Sequence, residues 1–259
     1  MSRTATNLEE IRSAMLHGTG AGVRVAIIDS GIEAGHPGLA GMRLRDSIAI
    51  LEERGRLVVR EDDGIDAYGH GTGVASVLLR TAPEAEVGSF RVLDARNLSR
   101  AEVIRQGVRE ALSRGYHIIN CSFGSKGGVR TIMTFKEWVD DCWLRGVHVV
   151  SACNNYSLYE PEWPGHFAST LTVSMARTNS DHFFYRPGHL VQFSAQGENV
   201  EVAWLDGRFE RRTGSSFAVP RLSGCLARLM SAMPDITPAL AHELLPKLAH
   251  PWSPELEFV

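Results

Sequence analysis

Short, apolar, β-branched runs alternate with helical stretches between Val23 and Asn154, and this alternation constrains the fold more than any other feature of the sequence. The runs that have the length and composition of buried strands are "VRVAIIDSG", "EVGSFRVL", "HIINCSFG" and "VHVVSACN". Strand–helix alternation predicts an α/β fold with a mostly parallel central sheet and helices on both faces. We also expect a hairpin that turns near Arg54-Gly55, and a long helix that begins at about Ser216.

The chain has 259 residues, of which 44% are hydrophobic, and this is enough for one large domain. We treat residues 1–22 as an N-terminal extension and residues 23–259 as the domain. The formal net charge is -3 and charges of both signs are interspersed, so neither a nucleic-acid surface nor a polybasic membrane patch is indicated. No apolar run approaches the roughly 18 residues of a membrane-spanning helix.

The N-terminal segment is polar, carries Glu9 and Glu10, and lacks the pattern of a secretory signal peptide. A cytoplasmic location is the corresponding expectation. Widely spaced cysteines without a C-x-x-C pair indicate buried free thiols rather than metal ligands, at Cys121, Cys142, Cys153 and Cys225.

Polar side chains stand where three of the predicted strands end, at Asp29, Ser122 and Asn154. In open α/β sheets, ligands bind in the loops beyond the carboxyl ends of the strands, so we expect these three side chains on one rim. His70 lies between two glycines at the start of a predicted helix. Taken singly, Asp29 and Asn154 are equally well interpreted as turn residues, and His70 as a residue that packs at a helix start.

The stretch "RRTGSSFAVPRLSG" places Ser215 and Ser216 where a loop becomes a helix. Serine is a favoured N-cap because its oxygen accepts a hydrogen bond from a first-turn amide. A hydroxyl at a helix N-terminus could instead be a nucleophile, since the amides and the dipole stabilise developing negative charge there. The residues alone leave both interpretations open.

Several blocks of the sequence resemble, in order, those of subtilisin-like serine proteases, the subtilases. They are "VAIIDSGIEAGHPGL", "GHGTGVAS", "INCSFGS", "VVSACN", "WPGHFASTLTVS" and "TGSSFAVPRLSG". The Asp–His–Ser order separates this family from chymotrypsin-type and α/β-hydrolase enzymes. The resemblance implies a subtilisin-like three-layer fold and a serine endopeptidase that hydrolyses peptide bonds through an acyl-enzyme.

The resemblance also implies roles for four residues. Ser216, rather than Ser215, is the expected nucleophile, and His70 the base that takes its proton. Asp29 is expected to hold His70 in one tautomer, while the amide of Asn154 binds the oxyanion.

Substrate binding is implied at two further places. Ser122, Phe123 and Gly124 resemble the segment that pairs with the peptide backbone by β-addition. Glu162 lies two residues before a proline whose peptide bond is often cis in the family, near the pocket for the P1 side chain. A carboxylate there would favour arginine or lysine at P1; the alternative is that Glu162 points to solvent.

Departures from the family pattern refine these expectations. The segment between Leu79 and Val87 lacks the calcium-binding loop of many secreted subtilases, so we expect no metal and no cofactor. Cys153 replaces the usual glycine and would be strained if its φ were positive. With only about 22 residues ahead of the first strand, no inhibitory prodomain is expected, which favours the processing of a specific peptide or protein partner.

Two other functions compete with an active protease. A catalytically weak pseudoprotease would bind peptides without cleaving them. A dinucleotide-binding protein is suggested by "GTGAG" at residues 18–22, but this glycine run precedes the first strand, whereas the fingerprint of that class follows one. The sequence does not indicate an oligomeric state.

Overall fold

Ten strands form one central sheet in the computed structural model, which describes residues 7–42 and 44–257. With the two strands of a separate hairpin, β10 and β11, the strands of the described chain are β1 Arg24–Asp29, β2 Asp46–Glu53, β3 Arg56–Glu61, β4 Glu86–Arg91, β5 Ile118–Cys121, β6 His148–Ala152, β7 Leu171–Ala176, β8 Phe183–Tyr185, β9 Phe193–Gln196, β10 Val200–Trp204, β11 Arg208–Arg212 and β12 His250–Pro251. The order in the central sheet is β12-β8-β9-β7-β6-β5-β1-β4-β2-β3, and among the described residues of this sheet only the β2–β3 and β8–β9 pairings are antiparallel. The mostly parallel sheet predicted from the sequence is confirmed.

Helices cover both faces of this sheet. They are α1 Leu8–His17, α2 His70–Thr81, α3 Ala101–Ser113, α4 Val129–Leu144, α5 Ser215–Ala232 and α6 Pro238–Leu248, with short 3-10 turns at Pro37–Leu39 and Pro254–Leu256. The described helices include none long and apolar enough to cross a bilayer.

Strand β1 shows how the two cores are divided. Its side chains alternate in direction, as the period of a strand requires. Val25 and Ile27 enter the core shared with α2, α5 and α6, whereas Ala26 and Ile28 enter the core shared with α3 and α4. A strand with helices on both faces is therefore apolar along its whole length, which is why "VAII" reads as a continuous buried run.

Two hairpins depend on residues with positive φ. The β2–β3 turn is made by Arg54 (φ 51°) and Gly55 (φ 76°), as predicted. A second hairpin pairs β10 with β11 outside the main sheet, through Asp206 (φ 62°) and Gly207 (φ 70°). The apolar run "NVEVAWL" predicts a strand at β10, whereas no pattern in the sequence indicates β11.

The predicted N-terminal extension contains α1, which packs on α5. Ile11 is buried in the core, and the guanidinium of Arg228 donates hydrogen bonds to the carbonyls of Gly18 and Leu16. Gly18 marks the closest approach, because a Cβ atom there would lie 2.1 Å from the carbonyl oxygen of Arg228. The boundary at residue 22 stays a prediction.

Gly18→Ala should destabilise the protein by about 1–3 kcal/mol, the usual cost of overpacking, because the added methyl group meets fixed backbone. Gly35→Ala is the matched control, since nothing lies within 4 Å of a Cβ atom there. Urea unfolding of both variants measures the difference. Equal free energies of unfolding would mean that α1 does not dock on α5 in solution.

Candidate active site

A buried carboxylate and an imidazole meet at the carboxyl end of β1. Asp29 is fully buried, and its Oδ1 atom lies 2.8 Å from Nδ1 of His70. The backbone N–H of Ser30 donates to the same oxygen at 2.8 Å. Because an ionised carboxylate can only accept, Nδ1 of His70 carries the proton and Nε2 is left as the basic nitrogen.

Glycines on either side of His70 permit this approach. Gly69 ends the preceding loop with φ 104°, a conformation that a residue with a Cβ atom rarely adopts. A Cβ atom on Gly71 would lie 2.0 Å from the carbonyl oxygen of Gly31. The start of α2 can therefore lie directly against the loop after β1, which brings His70 to Asp29.

A second buried carboxylate, Asp66, holds the start of α2 in place. Its Oδ1 atom accepts hydrogen bonds from Ser30 Oγ (2.7 Å) and from the amides of Tyr68 (2.9 Å) and Gly69 (2.7 Å). Its Oδ2 atom accepts from the amide and the hydroxyl of Thr72 at 2.9 and 2.6 Å. Sequence reasoning missed this role, although an aspartate four residues before a helix-start histidine was the available signal.

The charges around His70 determine its basicity. Burial lowers the pKa of His70, but the negative charge of Asp29 and the hydrogen bond to it raise the pKa, and Asp66 adds to the increase. Arg212 opposes them weakly, and the net result is a pKa above the ordinary value of histidine.

Ser216 lies in the first turn of α5, and the next residue in that turn contacts His70. The ring of its neighbour Phe217 is 5.5 Å from the His70 ring, centroid to centroid. The Ser216 hydroxyl donates to the carbonyl of Ser122 at 2.9 Å. Because a hydroxyl has one proton, Ser216 does not donate to His70 in this structure, and the hydroxyl must leave the carbonyl of Ser122 before it can form such a bond.

The proline in α5 explains how Ser122 is held. Pro220 has no N–H, so the carbonyl of Ser216, four residues earlier, loses its helical partner. The hydroxyl of Ser122 donates to that carbonyl at 2.8 Å. Ser122 and Ser216 are thus joined by two reciprocal hydrogen bonds.

Two buried polar side chains extend the hydrogen-bond network from Ser122. Asn120 donates to the hydroxyl of Ser122 at 3.1 Å, and the hydroxyl of Ser223 donates to Asn120 at 2.8 Å. Both Asn120 and Ser223 are fully buried. Sequence reasoning missed them, because a single polar residue in an apolar strand or helix carries no pattern of its own.

Neither serine caps α5. The N-cap is Gly214, and it makes no side-chain capping bond. The hydroxyl of Ser215 donates to the carbonyl of Cys153 at 2.9 Å, while its amide donates to Oδ1 of Asn155 at 2.7 Å. Ser215 therefore ties α5 to the loop after β6, and the capping interpretation of the two serines is wrong.

The amide of Asn154 lies buried at the end of β6, next to the ends of β5 and β1. Its Oδ1 atom accepts from the amides of Tyr156 (2.8 Å) and Ser157 (3.0 Å), so the residue does form a turn. Its Nδ2 atom points the other way and donates to Oε1 of Glu162 at 3.0 Å. The predicted rim of Asp29, Ser122 and Asn154 is present, because β1, β5 and β6 are adjacent and parallel.

The segment Ser122–Gly124 runs beside a cleft of about 380 Å³. The apolar part of its lining includes Leu98, Ile104, Phe123 and Phe135. Ser125 pairs with Trp163 through hydrogen bonds of 3.0 and 2.9 Å. The Trp163–Pro164 bond is cis, as predicted. Cys153 is not among the described residues with positive φ, so the condition under which a cysteine would be strained there is not met.

Cysteines and acidic loops give no sign of a metal centre. All four cysteines are free and buried, as predicted, and burial raises the pKa of Cys225 to about 11. Asp62 pairs with Arg91 at 2.7 Å, so this carboxylate is engaged. Across residues 7–42 and 44–257, no group of three or more His, Cys, Asp and Glu side chains is arranged to hold a metal ion.

Comparisons with known proteins agree with this geometry. A model of the subtilase family matches residues 20–250. The chain is 28% identical over 228 residues to the "Thermostable alkaline protease" of Halalkalibacterium halodurans, a match that covers 84% of this chain and 59% of that protein. It is 29% identical over 227 residues to "Subtilisin Savinase" of Lederbergia lenta, with 84% and 79% covered. The chain thus spans less than two thirds of the length of the first of these relatives.

Solved structures share the fold. "Sphericase" superposes with a TM-score of 0.73 at 22% identity, over 92% of this chain and 88% of its own. A cold adapted subtilisin-like serine proteinase superposes with a TM-score of 0.70 at 22% identity, over 89% and 83%. Because the family model matches residues 20–250 of the 259-residue chain, this chain belongs to the subtilase family.

Proposed function

We propose that the protein is a serine endopeptidase in which Ser216 is the nucleophile, His70 the general base and Asp29 the group that orients His70. The buried 2.8 Å contact between Asp29 and His70, on the rim where Ser216 begins α5, carries the proposal. It leaves Nε2 as the basic atom of a ring that lies 5.5 Å from the ring of Phe217, on the helix that bears the hydroxyl. Family membership supports the same reaction.

The reaction begins when Ser216 leaves the carbonyl of Ser122 and gives its proton to Nε2 of His70. Oγ then bonds to the peptide carbonyl carbon, and the oxygen becomes an oxyanion. In this mechanism, Nδ2 of Asn154 and the backbone N–H of Ser216 stabilise that charge. His70 returns the proton to the leaving amine as the C–N bond breaks, and water hydrolyses the acyl-enzyme with the same proton transfers.

We infer that the substrate is a specific peptide or protein partner. An extended segment of that partner, with a basic residue at P1, would bind in the site. Ser122, Phe123 and Gly124 would pair with its backbone, and the adjacent cleft of about 380 Å³ offers space for apolar side chains. The four unpaired cysteines support a cytoplasmic location, because disulfides are rare in that compartment. We infer that neither a metal nor a cofactor takes part.

Ser216→Ala should abolish peptide hydrolysis, with a loss on the order of 10⁶-fold in kcat, the size measured for subtilisin without its nucleophile. Asn154→Ala should lower kcat by about 10²–10³-fold, as loss of the oxyanion amide does there. Ser215→Ala is the control for register and should keep most of the activity. A pseudoprotease would fail to react with a fluorophosphonate probe, and loss of activity in Ser215→Ala but not in Ser216→Ala would shift the nucleophile by one residue.

The kcat/KM value should rise with pH, because His70 acts as a base only when neutral. Asp29 and Asp66 raise the pKa of His70, so the rising limb should lie above the ordinary histidine range. Asp66→Asn removes one of these charges and should move the limb to lower pH by roughly half a unit. Asp63→Asn, which removes an exposed carboxylate from the same loop, should leave the limb in place. A profile flat from about pH 5 to 9 would contradict a histidine base.

Peptides that differ only at P1 should be cleaved best with arginine and next best with lysine. The carboxylate of Glu162 favours a cation, and the planar guanidinium can bind it through two hydrogen bonds. A fluorogenic P1 library on the wild-type protein measures the order. A preference for leucine or phenylalanine would show that Glu162 does not contact the P1 side chain.

A further inference from the structure

The amide that the proposed mechanism requires is already engaged. Because two backbone amides hold Oδ1 of Asn154, the orientation of its side chain is fixed and Nδ2 faces Glu162. Only 2% of Asn154 is exposed, so water cannot readily replace this partner. In the substrate-free protein, a carboxylate 3.0 Å away therefore competes for the proposed oxyanion donor.

The carboxylate of Glu162 reaches Asn154 across the backbone of Gly124. A Cβ atom on Gly124 would lie 2.5 Å from Oε2 of Glu162 and 3.1 Å from its Cβ atom. The side chain thus lies flat against a residue of the proposed peptide-binding segment. Any larger residue at position 124 would force the carboxylate away from Asn154.

The backbone of Glu162 is held firmly, so movement is left to its side chain. The next residue, Trp163, pairs with Ser125 in both directions, and the carbonyl of Glu162 accepts from the amide of His166 at 3.0 Å. Rotation about the side-chain torsions can therefore swing the carboxylate off Asn154 without a change in the loop.

The charge of Glu162 is poorly compensated. Lys126 forms its ion pair with Glu160, which leaves Glu162 without a direct ion-pair partner in the part of the chain that the structure describes. Partial burial raises the pKa of Glu162, while Lys126 and the Asn154 hydrogen bond lower it in part. A carboxylate held here would repel an oxyanion that forms at the same amide.

We propose that Glu162 couples the charge of the P1 side chain to stabilisation of the oxyanion. A cationic P1 side chain draws the carboxylate away from Nδ2 of Asn154, which frees the amide for the oxyanion. A neutral P1 side chain leaves the carboxylate in place. The inference rests on the proposed function, and it makes Glu162 a specificity-determining residue that acts on kcat as well as on KM.

Arginine is suited to this exchange. Its guanidinium presents a rigid fork of donors that can bind both carboxylate oxygens, so it offers Glu162 two charge-assisted hydrogen bonds for the single one that is lost. The amide of Asn154 then donates to the oxyanion instead of to the carboxylate of Glu162. The arrangement thus favours a substrate that brings its own positive charge.

The test compares two fluorogenic peptides that are identical except for arginine or leucine at P1. Their kcat and KM values are measured for the wild type, Glu162→Ala and Glu162→Gln, with active protein counted by fluorophosphonate labelling. In the wild type, kcat for the leucine peptide should be lower by up to about 10²-fold, the effect of losing one oxyanion donor. Glu162→Ala should raise kcat for leucine by about 10-fold or more, and should lower kcat/KM for arginine.

Two matched variants sharpen the comparison. Glu162→Gln has nearly the same shape but no charge, so it should also raise kcat for leucine, and it gives the contrast if the alanine variant does not fold. Asp235→Asn makes the same change in net charge at an exposed position and should alter neither peptide. As a readout without turnover, a peptide boronate with leucine at P1 should bind Glu162→Ala more tightly than the wild type, since its tetrahedral adduct carries the negative charge.

Three results would overturn the proposal. If Glu162→Ala lowers kcat for both peptides, Glu162 supports Asn154 instead of competing for it. If the substitution changes only KM for arginine, the carboxylate binds the P1 cation and has no effect on the oxyanion. If the wild-type protein is not labelled by the fluorophosphonate, the proposed function fails, and the role of Glu162 fails with it.

Discussion

The buried carboxylate of Asp29 is the constraint on which the rest of the site depends. An ionised group without exposed surface is costly unless it is paired and hydrogen-bonded. His70 and the amide of Ser30 share Oδ1, whereas Oδ2 has no hydrogen-bond partner among the described residues. The protein tolerates this cost only if His70 stays in contact, so the start of α2 must be held against the end of β1. Asp66 and the bare backbone of Gly71 meet that requirement, and the arrangement proposed for catalysis is thereby also a requirement for stability.

The start of α5 is likewise held by hydrogen bonds from the loops at the ends of neighbouring strands. A residue in the loop after β5 and a residue in the loop after β6 each form a hydrogen bond to this helix. The hydroxyl of Ser122 donates to the carbonyl that Pro220 leaves free, and Oδ1 of Asn155 accepts from the amide of Ser215. Both partners satisfy backbone groups that a helix N-terminus or an internal proline would otherwise leave unpaired. Because β5 and β6 are neighbours in a parallel sheet, their ends are separated by a fixed spacing. The sheet thus sets where Ser216 lies relative to Asn154, and α5 is positioned by hydrogen bonds as well as by its apolar face.

The sequence predicted the features that arise from repeated patterns or from local chemistry. Alternating apolar runs predicted the parallel sheet, and the ends of those runs predicted that Asp29, Ser122 and Asn154 share one rim. Strand β11 was missed because its residues, "RFERR", are mostly charged and partly exposed, so the alternation of a half-buried strand is hidden. Asp66, Asn120 and Ser223 were missed for a different reason: each acts through partners that are distant in sequence or are backbone atoms. The position of Glu162 against Gly124 likewise depends on two loops that only the folded chain brings together.

The positions of Ser216, which is partly buried, and Asn154, which is buried, follow from one rule: polar groups shielded from water find partners within the protein when no substrate is bound. The partners of the two side chains, the carbonyl of Ser122 and the carboxylate of Glu162, differ in how they can be displaced. The Ser216 hydroxyl is bonded to the carbonyl of Ser122, a neutral acceptor on the segment where a peptide would pair. A peptide N–H that donated to this carbonyl would release the Ser216 hydroxyl, so backbone pairing alone can free the proposed nucleophile. The amide of Asn154 is bonded to a charge, and a hydrogen bond to a charged group is roughly twice as strong as a neutral one. Pairing of the peptide backbone supplies no positive charge that could draw the carboxylate of Glu162 away from Asn154. In the proposed mechanism, the two halves of the site therefore respond to different parts of a substrate: Ser216 to any extended backbone, and Asn154 to the side chain that can compensate Glu162.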